Sequence, residues 1–271
     1  MKVSADSAGV QVHGDTGVLA RSRYVIGADG SRSPVRESSG LRLEGPRTSS
    51  AFVIVDVAED PADPLPLERV FHYEHPAVDG RNVLFVPFAG HWRVDLQCRD
   101  EDDPDAFSTE SGVRTWLSQV MPSKYADRVT WVSTYVFRQA IADAFVDADA
   151  RVLLAGEAGH VFAPFGARGL NSGVADAWVA ARGIDEALRV DAASAPDCIR
   201  AFGETRRAAA SRNRAASSTA LTHMIAGSPF QRAVRRAAGV LAPSVRSIGR
   251  WMDRAPYGPP LGPPDRDGMQ Y

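Results

Sequence analysis

Between Arg151 and Ala177 the chain reads RVLLAGEAGHVFAPFGARGLNSGVADA. Val152 to Ala155 form a short apolar run with a β-branched start, the pattern of a strand buried on both faces. Pro164, Gly166 and Gly169 make the following loop turn sharply. Leu170, Val174, Ala177, Trp178, Ala181, Ile184 and Leu188 then recur at helical spacing, which predicts an amphipathic helix with that stripe as its apolar face. A Gly-rich turn feeding a helix start leaves backbone N–H groups unpaired at the positive end of the helix dipole. Such an end suits a phosphate or an electron-rich ring oxygen.

A second stretch of this kind lies far upstream. Arg23 to Arg36 reads RYVIGADGSRSPVR, a short strand over Tyr24–Ile26 and a tight turn over Gly27–Gly30. A helix start follows, with Ser33 as N-cap and Pro34 at the first helical position. Asp29-Gly30 taken by itself is also an ordinary turn signal. The residues before this stretch read as a β-hairpin. Val10 and Val12 alternate with polar residues, Gly14-Asp15-Thr16-Gly17 is the turn, and Val18 to Ile26 returns.

Gly156, Glu157, Ala158, Gly159, His160, Pro164, Gly166, Gly169, Asn171, Asp176 and Ala177, in that order, resemble the second flavin motif of the FAD-dependent aromatic hydroxylases, the p-hydroxybenzoate hydroxylase-like monooxygenases. Gly27 to Arg36 resembles that family's GADG-x-x-S-x-V-R motif. The resemblance implies FAD as cofactor and NAD(P)H as electron donor. It implies a C4a-hydroperoxide of the reduced flavin that hydroxylates an aromatic or polyketide-like substrate. It places Asp29 and Gly30 near the flavin pyrophosphate and the pyridine nucleotide path, with Arg32 a further candidate. Gly156, Glu157, Pro164, Gly166, Gly169, Leu170 and Asn171 complete the implied cofactor set, and Gly169-Leu170-Asn171 would aim N–H donors at the flavin N1–C2=O edge. Glu157 stands where the family has an Asp that hydrogen-bonds the ribityl chain. His160 is implied to shape the loop.

The family opens with a G-x-G-x-x-G βαβ unit that cradles the pyrophosphate, and this sequence contains no such fingerprint. The expected fold class is therefore α/β (α+β): an incomplete FAD-binding Rossmann-like domain, an antiparallel-sheet substrate domain and C-terminal helices. The expected segments are 1–45 (hairpin and GADG motif), 46–140 (substrate sheet), 141–190 (flavin strand, loop and helix), 191–255 (helices) and 256–271 (flexible tail). Fragment, misassigned start, split subunit and decayed copy stay open, and a separate chain supplying the missing half is an expected partner. A non-catalytic remnant or partner-binding fragment, and a flavin reductase or halogenase, are the alternative functions.

The middle of the chain carries strand patterns at Ala51–Val57, Arg69–His75, Asn82–Phe88, His91–Cys98 and Val129–Phe137. A helix is expected from Asp103, its N-cap, to about Val120. Phe71, Tyr73, Phe85, Phe88, Trp92, Tyr135 and Phe137 are candidates to line a pocket for an aromatic ring, or else are sheet core. Arg138 and Gln139 are candidate polar groups of that pocket, or else surface residues of a strand end. The Arg-rich run from Arg200 to Arg254 reads as a solvated or interdomain face, with Phe230, Val234, Ala238 and Leu241 as an apolar helical stripe.

Composition narrows the classes. With 44% hydrophobic residues over 271 positions, one or two cored domains are expected. A net charge of −2 gives no global pull toward nucleic acid. Cys98 and Cys198 have no paired spacing, so neither a disulfide framework nor a metal site is indicated. No run reaches membrane-spanning length, and cytoplasmic residence is the default expectation. No nucleophile–base constellation emerges, which suits chemistry done by a cofactor.

Overall fold

The computed structural model describes residues 1–260, the side chains of 47–50 excepted. In chain order the strands before the middle segment are β1 (Lys2–Asp6), β2 (Gly9–Gly14), β3 (Gly17–Ser22), β4 (Val25–Gly27) and β5 (Leu43–Glu44), with α1 (Pro34–Ser38) between the last two. The middle holds β6 (Arg47–Ala58), β7 (Val70–His75), β8 (Arg81–Phe88), β9 (His91–Gln97), α2 (Pro104–Ser108), α3 (Glu110–Val120) and β10 (Val129–Arg138). Then come β11 (Ala140–Ala142), β12 (Val152–Leu154), β13 (His160–Val161), α4 (Arg168–Arg189), α5 (Ala195–Ile225), α6 (Pro229–Leu241) and α7 (Arg246–Arg254). This is the mixed α/β class. The chain forms two compact units, residues 1–47 with 138 onward, and Thr48–Phe137. The segments read separately as 1–45, 141–190 and 191–255 thus belong to one unit.

In the first unit, β1, β2 and β3 form an antiparallel sheet, and β12 pairs with β4 in parallel, Leu153 opposite Ile26. The expected return strand from Val18 to Ile26 is two strands. β3 stops at Ser22, whose hydroxyl donates to Tyr24 O at 2.8 Å, and β4 leaves for the other sheet. Val152, Leu153 and Leu154 are each 0% exposed and pack with Val35, Ile199 and Phe202. Each such burial contributes about 1.5–3 kcal/mol, which anchors the strand that launches the Gly-rich loop.

α4 forms where its period predicts, but with the opposite face inward. Leu170, Val174 and Trp178 are 77%, 64% and 55% exposed, while Ser172, Ala175, Asp176, Ala180, Gly183 and Ala187 are buried. Small side chains let α5 come close: a Cβ on Gly183 would sit 3.5 Å from Cys198 O. α6 departs from its expected stripe in part. Phe230, Val234 and Leu241 are exposed, Ala238 of the same stripe is buried, and Arg235 is buried too, donating from Nη1 to the α5 carbonyls of His223 and Met224. Those carbonyls end a helix and lack intrahelical partners, so a buried guanidinium outcompetes an apolar stripe for the contact. Arg206 and Arg235 thus depart from the expected solvated arginine face.

The second unit is a five-stranded sheet in the order β10-β6-β9-β8-β7. Val53, Val55, Val83, Phe85, Trp92, Val94 and Leu96 pack with Val113, Trp116 and Leu117 of α3 in one core. The single helix expected from Asp103 breaks at Thr109, which is extended (φ −63°, ψ 156°) and caps α3 by accepting from Gly112 N at 3.0 Å. Asp103 caps α2 as expected, accepting from Asp105 N.

Candidate functional site

Because β4 and β12 run parallel, the Gly27–Gly30 and Gly156–Ala158 loops leave the same end of their sheet. Carboxyl ends of parallel strands are where ligands bind in such sheets. The two loops are tied to each other. Ala155 N donates to Gly27 O at 2.9 Å, and Arg36, 4% exposed, donates from Nη1 to Ala158 O and from Nη2 to Ser31 O, both at 3.0 Å. Burial pushes the Arg36 pKa below its ordinary value. Gly27 is required by packing, since a Cβ there would lie 2.7 Å from Val35 Cγ1. The Asp29 carboxylate accepts from Ser33 Oγ and from Val35 N at 3.0 Å, and so caps α1 together with Ser33. Of the pair expected beside a pyrophosphate, Asp29 is thus engaged within its own turn, while Gly30 has φ +84° and open space where a Cβ would stand.

The second loop is held by a buried polar chain. Asp176 of α4 accepts from Gly156 N at 2.9 Å and bonds His160 Nε2 at 2.7 Å through Oδ2, and accepts from Arg206 Nε at 2.7 Å through Oδ1. The side chains of His160, Asp176 and Arg206 are at most 2% exposed. His160 also stacks on Phe162 at 4.5 Å. This is the loop-shaping position expected of it. Gly156 and Gly173 let loop and helix touch at backbone distance, since a Cβ on Gly173 would lie 3.4 Å from Gly156 Cα. Glu157 is exposed at the loop, with no hydrogen-bond partner among the described residues.

α4 begins without a side-chain cap. Ala167 precedes it in the left-handed region (φ 53°), and Asn171 Nδ2 donates back to Ala167 O at 3.0 Å. Leu170 and Asn171 are exposed, and a Cβ on Gly169 would meet nothing within 4 Å. The first N–H groups of α4 are therefore open donors at a positive helix end. Gly166 is different. A Cβ there would lie 2.7 Å from Tyr257 O, so its φ of +78° serves packing against the C-terminal segment. Arg168 holds that segment, donating from Nη2 to Tyr257 O and Pro259 O and from Nη1 to Asn213 Oδ1. Tyr257 and Pro259, in the segment read as a tail, are thus hydrogen-bonded to Arg168, whereas 261–271 lie outside the described residues. Pro164 is exposed beside this turn.

The profile of the family described as FAD binding domain matches residues 3–217. The chain belongs to the FAD-dependent aromatic hydroxylase family. A 3-(3-hydroxy-phenyl)propionate/3-hydroxycinnamic acid hydroxylase of Mycolicibacterium gilvum is 30% identical over 177 residues, 62% of this chain and 28% of the relative. One of Mycobacterium avium is 32% identical over 190 residues, 65% of this chain and 30% of the relative. The chain thus spans under a third of the length of these curated relatives. Among solved structures, p-nitrophenol 4-monooxygenase PnpA of Pseudomonas putida superposes with a TM-score of 0.68 at 22% identity, covering 96% of this chain and 66% of the other. Aklavinone-11 hydroxylase, solved with FAD and aklavinone, gives 0.69 at 22% identity, covering 84% and 44%. These two show the fold.

The residues expected to hold FAD meet its needs unevenly. Gly30 and Gly169 leave room that no side chain of the protein uses, the α4 start offers donors, and Glu157 is a free carboxylate. Gly166 and the Asp29 carboxylate are committed to the protein itself. In the second unit, the candidate pocket residues separate onto two sheet faces. Phe71 pairs with Leu84, so Phe85 points the other way, into the core under α3 at 7% exposure. Trp92 joins it there at 3% exposure. Phe85 is therefore core and does not share a wall with Phe71, because a one-residue step along a strand reverses the face. Tyr135 packs on Phe137, which packs on Phe52, on the face opposite Phe85. Arg138 lies at the end of β10 in the first unit, half-buried, its Nε without a partner among the described residues. Gln139 is buried and accepts from Ser218 Oγ. The sequence motifs did not single out Arg168 or Arg206. Arg206 was one of many arginines in its run, and Arg168 stands inside the second motif stretch between Gly166 and Gly169.

Proposed function

We propose that this chain carries the isoalloxazine and ribityl end of a FAD site in an aromatic hydroxylase, an NAD(P)H-dependent monooxygenase acting on an aromatic small molecule. The observation that carries the proposal is the gathering of two Gly-rich loops and an uncapped helix start around one end of a parallel strand pair. Gly30, Gly169, Leu170 and Asn171 would hold the cofactor through backbone donors, and Glu157 would accept from ribityl hydroxyls. FAD, reduced by NAD(P)H, supplies oxygen activation when bound. The residues of this chain would orient it: the α4 start would stabilise negative charge placed beside Gly169, and the bonds to Asp176 keep the Gly156 loop against α4. No helix among the described residues is long and apolar enough to cross a membrane.

A completing βαβ segment is part of the same proposal. β4 has one strand neighbour among the described residues, and parallel sheets are normally covered on both faces. Leu170, Val174 and Trp178 present an apolar strip on the same unit, the kind of surface another element covers. Titration of the purified chain with FAD tests the cofactor reading. Saturable quenching of flavin fluorescence with a shifted absorbance band is expected, and a flavin spectrum unchanged by the protein would refute it.

A further inference from the structure

The five-stranded sheet has two unlike faces. Along the middle of β6 and β9 the residues alternate between fully buried, toward α3, and half-buried, on the other side. Asp95 stands on the half-buried side, directly across from Ile54 on β6 and Leu84 on β8. Its Oδ1 is shut off from solvent and has no hydrogen-bond partner among the described residues. A buried carboxyl oxygen without a partner is costly, and native structures rarely keep one without use. Burial pushes the Asp95 carboxyl up to about 7, with Asp56 adding to the rise and Arg93 and Arg69 opposing it. Near neutrality the group therefore holds a proton for much of the time and can donate it in a hydrogen bond.

The surroundings are aromatic. Phe71 and Tyr73 lie 4.4 Å apart on β7, and Phe52 and Phe137 lie 4.8 Å apart across β6 and β10. The Arg93 guanidinium lies over the Phe88 and Trp131 rings at 5.7 and 5.6 Å. Its charge is already used: Nε and Nη2 donate to the two oxygens of Asp56 at 2.8 and 2.9 Å. Arg69, the other arginine that acts on Asp95, is also engaged. An arriving carboxylate would meet Asp56 and Asp95, while the Arg93 guanidinium beside them is already paired with Asp56.

We propose that Asp95 is the polar anchor of this face, donating a hydrogen bond to a hydroxyl or carbonyl oxygen of an uncharged aromatic substrate. The inference rests on the aromatic hydroxylase reading and narrows its substrate class to neutral oxygenated rings, in contrast to the carboxylate-bearing compound for which the mycobacterial relatives are named.

Calorimetric titration of the purified chain with naphthol and with naphthoate tests this without any flavin. Naphthol binds, and naphthoate binds about tenfold more weakly or worse. Naphthol affinity drops as pH rises through about 7, where Asp95 ionises. Asp95→Asn retains an N–H donor, so it keeps naphthol binding and loses the pH step. Asp95→Leu weakens naphthol binding by about tenfold, the worth of one hydrogen bond, with a thermal melt confirming that it folds. Equal binding of naphthoate, a pH step that survives Asp95→Asn, an unaffected Asp95→Leu, or no naphthol binding at all would each overturn the inference. A chain that binds FAD but not naphthol fails here alone, and one that binds naphthol but not FAD fails the cofactor reading alone.

Discussion

Replacing Asp176 with Ala removes the acceptor of three hydrogen bonds, from Gly156 N, His160 Nε2 and Arg206 Nε, inside a region at most 2% exposed at each side chain. The Arg206 guanidinium then stays buried without its counterion. Breaking one side of a buried ion pair costs about 3–5 kcal/mol. A chain of this size loses about 2–4 °C in melting temperature per kcal/mol, so the expected drop is about 6–20 °C. Thermal unfolding followed by circular dichroism reads it. A second variant separates a charged-pair effect from general loss of packing. Arg206→Met in the Asp176→Asn background removes both charges and keeps the volume, and an apolar replacement of a whole pair is often close to neutral. The double variant should therefore melt well above Asp176→Ala. A single variant within about 2 °C of the parent, or a double variant no better than the single, would refute the view that these contacts hold the Gly156 loop.

Glu157→Ala should weaken FAD binding by about tenfold or more, since a hydrogen bond to a charged group is worth about 1.5–3 kcal/mol, while leaving the melting temperature unchanged because the side chain is exposed; Glu157→Asp should bind at least as well as the parent. The Asp95 carboxyl is raised to about 7 in the fold from an ordinary 3.8, so the native state holds the extra proton between those values. Stability accordingly falls as pH rises from about 4 to about 7, and denaturant titrations across that window should show the slope flattened in Asp95→Asn. Arg168→Ala removes the donors to Tyr257 O and Pro259 O, so limited proteolysis should cut near residue 257 sooner than in the parent, with the rest of the chain spared.

Local signals carried most of the elements. β-branched and aromatic runs located β6 to β10 because they fit a pleated, half-covered surface, and Ser33 and Asp103 capped α1 and α2 as their types require. Spacing found α4 but not which way it faces. That was decided by Asp176 reaching Arg206 some thirty residues on, together with the close approach at Gly183, and neither long-range partner shows in a hydrophobic period. The same limit explains Phe85. Aromatic content marked β8, but only the register with β7 and β9 assigns the ring to the core. At the site, the glycines looked alike in sequence and differ in the fold. Gly30 and Gly169 open onto free space, while Gly166 is spent against Tyr257, a contact made by the very segment read as a loose tail.

Gly169 offers the most direct test of the cofactor site. A Cβ at this position meets nothing of the protein within 4 Å, so Gly169→Val adds bulk at the position assigned to FAD. Titrating parent and variant with FAD, with matched thermal melts, should show saturable binding by the parent and its loss in the variant, at melting temperatures that agree within a few degrees, since helix propensity separates Val from Gly by under about 1 kcal/mol, in favour of Val. Equal FAD affinity in the two proteins would contradict the placement of the flavin at the start of α4.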